Sequence, residues 1–266
     1  MQNALITGIL ASLACGIVGT YVVVRKIGYI AGGISHAILG GMGIAYFLGK
    51  SPIYGAIVSA LIAAIVIGLV SLRAKENEDT IISAIWAVGM ALGVIFIART
   101  PGYNTDLMSY LFGNILMVSH FELRMIALLD IIIIVLVFIF FRQFMAVCFD
   151  EEYSKIQGID VEAIYLLLLC VIAVTVVILI QVVGLILVIA LLTLPAAVAG
   201  QYSRSLVGMM VLAALLGIVF TTGGLALSWA PNLPAGATII MISGIVYLLS
   251  SILHGTLKKI ASKRNM

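Results

Sequence analysis

The chain has 266 residues, of which 64% are hydrophobic and only 9% are charged. Soluble globular domains carry roughly 25% charged residues, so this composition excludes an ordinary soluble protein. The net charge of +3 comes from basic residues dispersed along the chain, which excludes a nucleic-acid-binding surface. Cys15, Cys148 and Cys170 form no C-x-x-C pair, which argues against a cysteine-based metal or redox site.

Apolar segments long enough to cross a bilayer, about 20 residues each, follow one another along the chain. The nine candidates are Ala4–Val24, Ile27–Gly49, Pro52–Leu72, Thr80–Ala98, Glu122–Phe141, Val161–Gln181, Val183–Gly200, Leu206–Leu227 and Pro234–His254. The second is crowded by glycines, and a broken or re-entrant second segment would lower the count to eight. The sequence therefore predicts an all-α, polytopic transmembrane helical bundle with eight or nine spans, forming a single domain over residues 1–266.

The basic residues predict the orientation of the chain. Arg25 and Lys26 follow the first segment, which favours an external N-terminus and, over nine spans, an internal C-terminus. Eleven of the fourteen Lys and Arg residues then fall on the inner side, and only Lys50, Arg99 and Arg124 fall on the outer side. This asymmetry is the one that the positive-inside rule requires. The sequence predicts a multi-pass protein of the cytoplasmic membrane.

Two segments between spans have features of short helices. Asp106–Leu116, on the predicted outer side, is apolar but too short to cross, which predicts a re-entrant or interfacial helix. Phe149–Gly158, on the predicted inner side, has helix-capping signals at both ends. Its candidate partner-docking residues are Asp150 as N-cap, Glu151, Glu152, Tyr153, Ile156 as an apolar anchor, and Gly158 as helix stop. The same residues also fit an ordinary polar connection.

Small residues and one proline indicate how the spans pack. Gly28 with Gly32, and Gly89 with Gly93, form small-xxx-small pairs that predict close helix contacts. Pro195, close to Thr193 in the seventh segment, predicts a kink that leaves the carbonyl of Leu191 without its helical donor. Such a break either lines a pathway or is purely structural.

Titratable residues at bilayer depth are costly, so each is a functional candidate. His36 lies about ten residues into the second segment, and Asp130 lies midway along the fifth. Neutral imidazole is a common ligand of divalent transition metals, whereas one histidine alone cannot form a stable zinc site. Metal binding, proton handling and a hydrogen bond between helices all remain open for His36. For Asp130, a second ligand position and a structural hydrogen bond remain open.

Enzyme signatures are missing from the sequence. It contains no H-E-x-x-H motif, and Ser35 and His36 point about 100° apart on a helix, which excludes a direct nucleophile–base pair. Gly43 to Ser51 resembles a phosphate-binding loop, but it has one intervening residue too many and no preceding strand. The sequence therefore predicts a protein that is not an enzyme, and any ATP hydrolysis would belong to another chain.

Five motifs in sequence resemble the membrane permease of metal-importing ATP-binding cassette transporters. They are Ser35–Ala37 with its flanking glycines, Asp106–Leu116, Phe149–Ile159, Val183–Ala197 and Leu233–Ile242. The resemblance covers essentially the whole chain. It implies import of zinc or manganese, and less so iron, with no tightly bound cofactor.

The resemblance also implies the partners. It predicts a homodimer in the membrane lipid, two cytoplasmic ATP-binding subunits docked on Phe149–Gly158, and an extracytoplasmic metal-binding protein. It implies a transient metal site near His36, but many members have an aspartate where this chain has Gly32. Asp106 and Asp130 are the candidates to replace that carboxylate, and Thr193 and Pro195 are candidates to line the pathway.

Two other functions remain open from the sequence. An ion-coupled secondary transporter would need more intramembrane carboxylates than Asp130, and inverted repeats that the sequence does not display. A related importer permease for metal chelates or cobalamin would share the fold, but the short chain and the metal-type motifs argue against it.

Overall fold

The protein is described here by a computed structural model over residues 2–73, 78–100, 113, 115–229 and 233–264, without the side chains of Glu78 and of residues 257–264. Within these residues all regular structure is helical. The helices are α1 (Gln2–Arg25), α2 (Gly28–Phe47), α3 (Pro52–Arg73), α4 (Glu78–Ala98), α5 (His120–Phe149), α6 (Glu151–Ile156), α7 (Val161–Val183), α8 (Leu185–Tyr202), α9 (Leu206–Trp229) and α10 (Ala235–Arg264), with a 3₁₀ turn at Ile115–Met117.

Nine of the described helices are long and apolar enough to cross a membrane, which confirms the polytopic helical bundle. Only helices and closed barrels satisfy their backbone polar groups in a bilayer, which explains why such apolar segments adopt this fold. The second segment is a continuous helix of 20 residues, so the described part of the chain contains nine candidate spans and not eight. The predicted outer helix over Asp106–Leu116 lies outside the described residues, apart from Gly113 and the start of the 3₁₀ turn.

The long helices pack as two groups joined by α7. In one group, α2 packs against both α3 and α4, and in the other α1 packs against α5, α8 and α9. Helix α10 covers α8 and α9. Helix α7 contacts α3 on one side and α5 and α8 on the other, which places it at the centre of the bundle.

The ends of the helices alternate as the predicted topology requires. Arg25, Arg73, Glu151 and Glu162 line one cavity, so the ends of α1 and α3 meet the starts of α6 and α7. At the opposite end, the amide of Asn3 donates to the carbonyl of Val118 at 3.2 Å. These two clusters define two ends of the bundle. Arg25, Lys26 and Arg73 are among the basic residues that line the cavity at the first end.

Helices α2 and α4 touch through backbone at glycines. A Cβ atom on Gly89 would lie 2.7 Å from the Cα of Ala37, and one on Gly93 would lie 2.6 Å from the carbonyl oxygen of Leu39. The close contact predicted for the Gly89 and Gly93 pair is therefore confirmed. The same prediction for Gly28 and Gly32 is wrong, because a Cβ there would meet its nearest atoms at ordinary distances of 3.8 and 3.6 Å.

Helix α8 follows α7 after a single residue, Gly184, whose φ of 86° lies in the left-handed region that glycine tolerates. The helix continues from Leu185 through the buried Pro195 to Tyr202. The hydroxyl of Thr193 donates to the carbonyl of Ile189 at 2.8 Å. The Thr193 hydroxyl therefore bonds a carbonyl two residues before that of Leu191, the carbonyl that Pro195 leaves without its helical donor.

Candidate functional site

His36 lies on α2 with its imidazole stacked on the indole of Trp86 from α4. The ring centroids are 4.0 Å apart and the planes differ by 12°. Both side chains are half-buried, and the buried Nδ1 of His36 has no hydrogen-bond partner within the described part of the chain. The stacking fixes the plane of the imidazole, and the described residues leave its buried Nδ1 without the hydrogen bond that a buried nitrogen usually makes.

Trp86 covers the helix turn that precedes His36. A Cβ on Gly32 would lie 3.6 Å from Cζ3 of Trp86, so the indole rests over this glycine and the imidazole one turn further on. The indole Nε1 donates to the sulfur of Met90 at 3.2 Å. The position one turn before His36 therefore faces an aromatic ring.

Polar groups continue along the same face towards the Arg25 end of the bundle. The hydroxyls of Tyr29 on α2 and Ser83 on α4 form a short hydrogen bond, and Tyr29 is 42% exposed. The Tyr29 ring lies 6.0 Å from that of Trp86. Tyr29, Ser83, Trp86 and His36 thus form a stripe, hereafter the α2–α4 stripe, which is unusual for a surface that faces only lipid.

Asp130, the second predicted ligand, is buried on α5 at 5% exposure. Neither carboxylate oxygen has a hydrogen-bond partner among the described residues. Helix α5 packs mainly on α1 and α7, whereas α2 and α4 pack mainly on each other, so within the described residues the structure does not bring Asp130 to His36. Asp106, the third predicted ligand, lies outside the described residues and stays a prediction.

Thr193, one of the predicted pathway residues on α8, lies next to the first turn of α2. A Cβ on Gly28 would lie 3.8 Å from the methyl group of Thr193, so Thr193 borders the first turn of α2. His36 is eight residues further along, about 12 Å at the rise of an α-helix. Pro195 is buried within α8. The structure therefore brings Thr193, but not His36, to the start of α2.

A permanent metal centre has no ligand set within the described residues. No three His, Cys, Asp or Glu side chains in that part of the chain come together as metal ligands require. Ser35 is buried and donates to the carbonyl of Ala31 at 2.7 Å, so its hydroxyl is already used. Among the described residues His36 is a single candidate ligand without the further ligands that a resident metal ion needs, so its predicted contact with metal stays a prediction.

The predicted short helix is present as α6. Asp150 caps it by accepting from the backbone N–H of Tyr153 at 2.9 Å, and Gly158 follows its end with φ 78°. Tyr153 and Ile156 are 55% and 84% exposed, whereas Glu151 is paired with Arg25 of α1. Glu152 is exposed in the first turn. The helix thus presents two large apolar side chains outward.

Sequence reasoning missed Trp86 and Arg25 as parts of these sites. One signal for Trp86 was available: tryptophan is enriched at membrane interfaces, whereas this one lies two turns inside its span. Arg25 is predictable as an orientation signal, but its pairing with Glu151 joins residues far apart in the chain. Sequence spacing carries no information on that contact.

Comparison with known proteins places the chain in a transport family. The model of the ABC 3 transport family matches residues 1–254. A membrane protein of Synechocystis is 46% identical over 94% of this chain and 89% of its own length. A protein of Chlamydia muridarum, named a probable metal transport system membrane protein, is 43% identical over 91% and 85% of the two chains. The manganese transport system membrane protein MntC of Halalkalibacterium halodurans is 32% identical over 94% and 86%.

A solved structure shares the fold over nearly the whole chain. PsaBC from Streptococcus pneumoniae, in complex with Fab, superposes with a TM-score of 0.84 at 34% sequence identity. The match covers 94% of this chain and 90% of the other. Together with the match to the family model, this likeness confirms the resemblance drawn from the sequence motifs. The chain belongs to the ABC 3 transport family.

Proposed function

We propose that this chain is the permease subunit of an ATP-driven importer that moves a divalent transition-metal ion, manganese or zinc, across the cytoplasmic membrane. The family match over residues 1–254 carries this proposal. The site supports it, because the described residues leave one imidazole nitrogen of His36 unpaired inside a bundle of candidate membrane spans. ATP hydrolysis is assigned to a separate chain, and the whole of residues 1–266 to one permease domain.

His36 is the residue that we assign to the cargo. Imidazole binds manganese less strongly than zinc, so the histidine alone favours zinc. The manganese carried in the name of MntC favours manganese. Asp106 and Asp130 remain proposed ligands, and Asp130 would act at a different place from His36. The ion is cargo and not a resident cofactor.

The partners follow from the surfaces of the chain. We assign α6 as the element that docks on a cytoplasmic ATP-binding subunit. Its exposed side chains Tyr153 and Ile156 provide an apolar contact that would fit a groove on that partner. We assign the α2–α4 stripe to the pathway between two copies of the chain, because polar groups at bilayer depth avoid lipid. An extracytoplasmic metal-binding protein would deliver the ion at the end that holds Asn3.

The orientation follows from the same assignment. The end of the bundle with Arg25, Lys26 and Arg73 faces the cytoplasm, in agreement with the positive-inside rule. The N-terminus is then outside and the C-terminus inside. Cysteine accessibility labelling at Asn3→Cys and Ser203→Cys, near opposite ends of the bundle, tests this orientation.

Elemental analysis of cells lacking this chain tests the cargo. Under metal limitation we expect the content of manganese or zinc to fall, and the wild-type chain to restore it. His36→Ala should not restore it, while the matched variant His120→Ala, at the exposed start of α5, should. Uptake that survives ATP depletion but collapses with the proton gradient would overturn the proposal in favour of an ion-coupled transporter.

A further inference from the structure

We propose that Arg25 is a positioning residue for transport. Through its ion pair with Glu151 it ties α6 to the end of α1, and so passes movement of α6 to α2, the helix that carries His36. The inference rests on the proposed function, since it requires α6 to receive the ATP-binding subunit.

The ion pair joins two helix ends. Arg25 is the last residue of α1 and Glu151 the first of α6, and Nη2 of the guanidinium contacts Oε1 of the carboxylate. A cation at a helix C-terminus and an anion at a helix N-terminus each complement the helix dipole. The two side chains are only 23% and 25% exposed, so water and salt screen the pair less than a surface pair.

Arg25 is also held by α7. Its Cζ lies 5.4 Å from the centre of the Tyr165 ring, within the range of a cation–π contact. The hydroxyl of Tyr165 lies 3.3 Å from that of Ser71 on α3. The guanidinium therefore sits between α1, α6 and α7, with a further link to α3. A shift of α6 at this point cannot leave the neighbouring helices unaffected.

A tight turn connects Arg25 to the helix of His36. Lys26 has φ 61°, and the N–H of Ile27 donates to the carbonyl of Val22 at 3.0 Å. Helix α2 begins at Gly28, only three residues after Arg25. Because hydrogen bonds close this turn, it cannot extend to compensate for a movement of Arg25. The start of α2 must follow that movement.

Glu151, one of the six candidate docking residues, lies on a different side of α6 from Tyr153 and Ile156. Tyr153 and Ile156 are mostly exposed, whereas Glu151 lies against α1. One side of α6 is thus available to the ATP-binding subunit while the other is tied to the bundle. Removing the ion pair should leave docking intact and weaken only the transmission of movement.

A second ion pair at the same end of the bundle provides the control. Arg73 on α3 and Glu162 on α7 pair at 3.1 Å and border the same cavity of about 520 Å³. Their side chains are 70% and 48% exposed, and neither residue belongs to α6. Arg73→Gln therefore removes an arginine and an ion pair here without touching the proposed connection.

The experiment measures ions transported per ATP hydrolysed, with the permease and its ATP-binding subunits reconstituted in liposomes and the extracytoplasmic metal-binding protein supplied. Mn²⁺ and Zn²⁺ are the probes, and subunit retention is measured by co-purification. We expect Arg25→Gln and Glu151→Gln each to lower the ratio roughly tenfold, as removal of a coupling residue can. The double variant should be no worse than either single variant, because both remove the same interaction. Arg25→Lys, which keeps the charge, should restore most of the ratio, and Arg73→Gln should match the wild type.

Three results would overturn the inference: an unchanged ratio in Arg25→Gln, a double variant in which the two losses multiply, or loss of the ATP-binding subunit from both single variants. The last would assign the pair to docking. A wild-type complex that moves neither ion on ATP would refute the proposed function instead. A transporting wild type with an unaffected Arg25→Gln would refute only the role of Arg25.

Discussion

The imidazole of His36 and the indole of Trp86 lie face to face, 4.0 Å apart and within 12° of parallel. The contact joins α2 to α4, and one of its two rings is the candidate metal ligand. It makes Trp86 a reporter of anything that binds the imidazole. It also occupies the side of α2 on which Gly32 precedes His36 by one turn.

Tryptophan emission should therefore report metal binding at His36. In Trp229→Phe, Trp86 is the remaining tryptophan of the two in the chain. We expect Zn²⁺ to change its emission, because binding alters the charge on the stacked ring. Adding His36→Ala should abolish the response, whereas adding His120→Ala should not. A zinc response that persists without His36 would contradict the assignment of the ligand.

Gly32→Asp should convert the site into a tighter and slower one. Aspartate at this position shares a helical face with His36, and the backbone has room for a Cβ beside Trp86. A carboxylate next to an imidazole gives a divalent ion two ligands, so we expect a lower KM and a lower maximal uptake rate. Gly32→Asn is the matched uncharged variant. Equal effects of the two substitutions would show that space, and not charge, causes the change.

Gly89→Ala should destabilise the bundle. The added methyl would fall 2.7 Å from the Cα of Ala37, so α2 and α4 would have to separate. Overpacking of this kind costs about 1–3 kcal/mol. Gly244→Ala on α10 is the control, because no described residue lies within 4 Å of a Cβ there. Thermal unfolding in detergent measures both, and equal melting temperatures would contradict the close contact between α2 and α4.

Asp130→Ala should raise stability while lowering uptake. The buried carboxyl group has no partner among the described residues, and an unsatisfied polar group costs about 1–3 kcal/mol. A costly group inside a membrane is expected to serve function. Glu122→Ala is the contrasting control, since Glu122 accepts from the backbone N–H of Ser119 at 2.8 Å and its loss should lower stability. Higher stability with unchanged uptake would remove Asp130 from the transport mechanism.

Asp150→Ala should weaken binding of the ATP-binding subunit. The substitution removes the cap of α6, which costs about 1 kcal/mol, a large share of the stability of a six-residue helix. Asp160→Ala removes the corresponding cap of α7, whose 23 residues hold it in place. Co-purification with the ATP-binding subunit measures the effect. An equal loss for both caps would argue against α6 as the docking element.

Close contacts between helices separate what is predictable from what is not. Gly89 with Gly93 and Gly28 with Gly32 have the same spacing, yet among the residues that the structure describes only the first pair meets a neighbouring backbone. The spacing specifies that two glycines share a face of one helix. It does not specify which face the next helix covers, because that depends on packing over the whole bundle.

The sequence by itself determined eight or nine spans and a capped short helix within Phe149–Gly158, because apolar length and capping act within a few residues of each other. Flanking charge predicted the orientation of the spans. The structure decided that the second span is one continuous helix. Only the tertiary structure decided that Trp86 stacks on His36, that Arg25 pairs with Glu151, and that Asp130 stands apart from both. These relationships join residues from different helices. They depend on the rotation and register of packed helices, which the local pattern of residues does not encode.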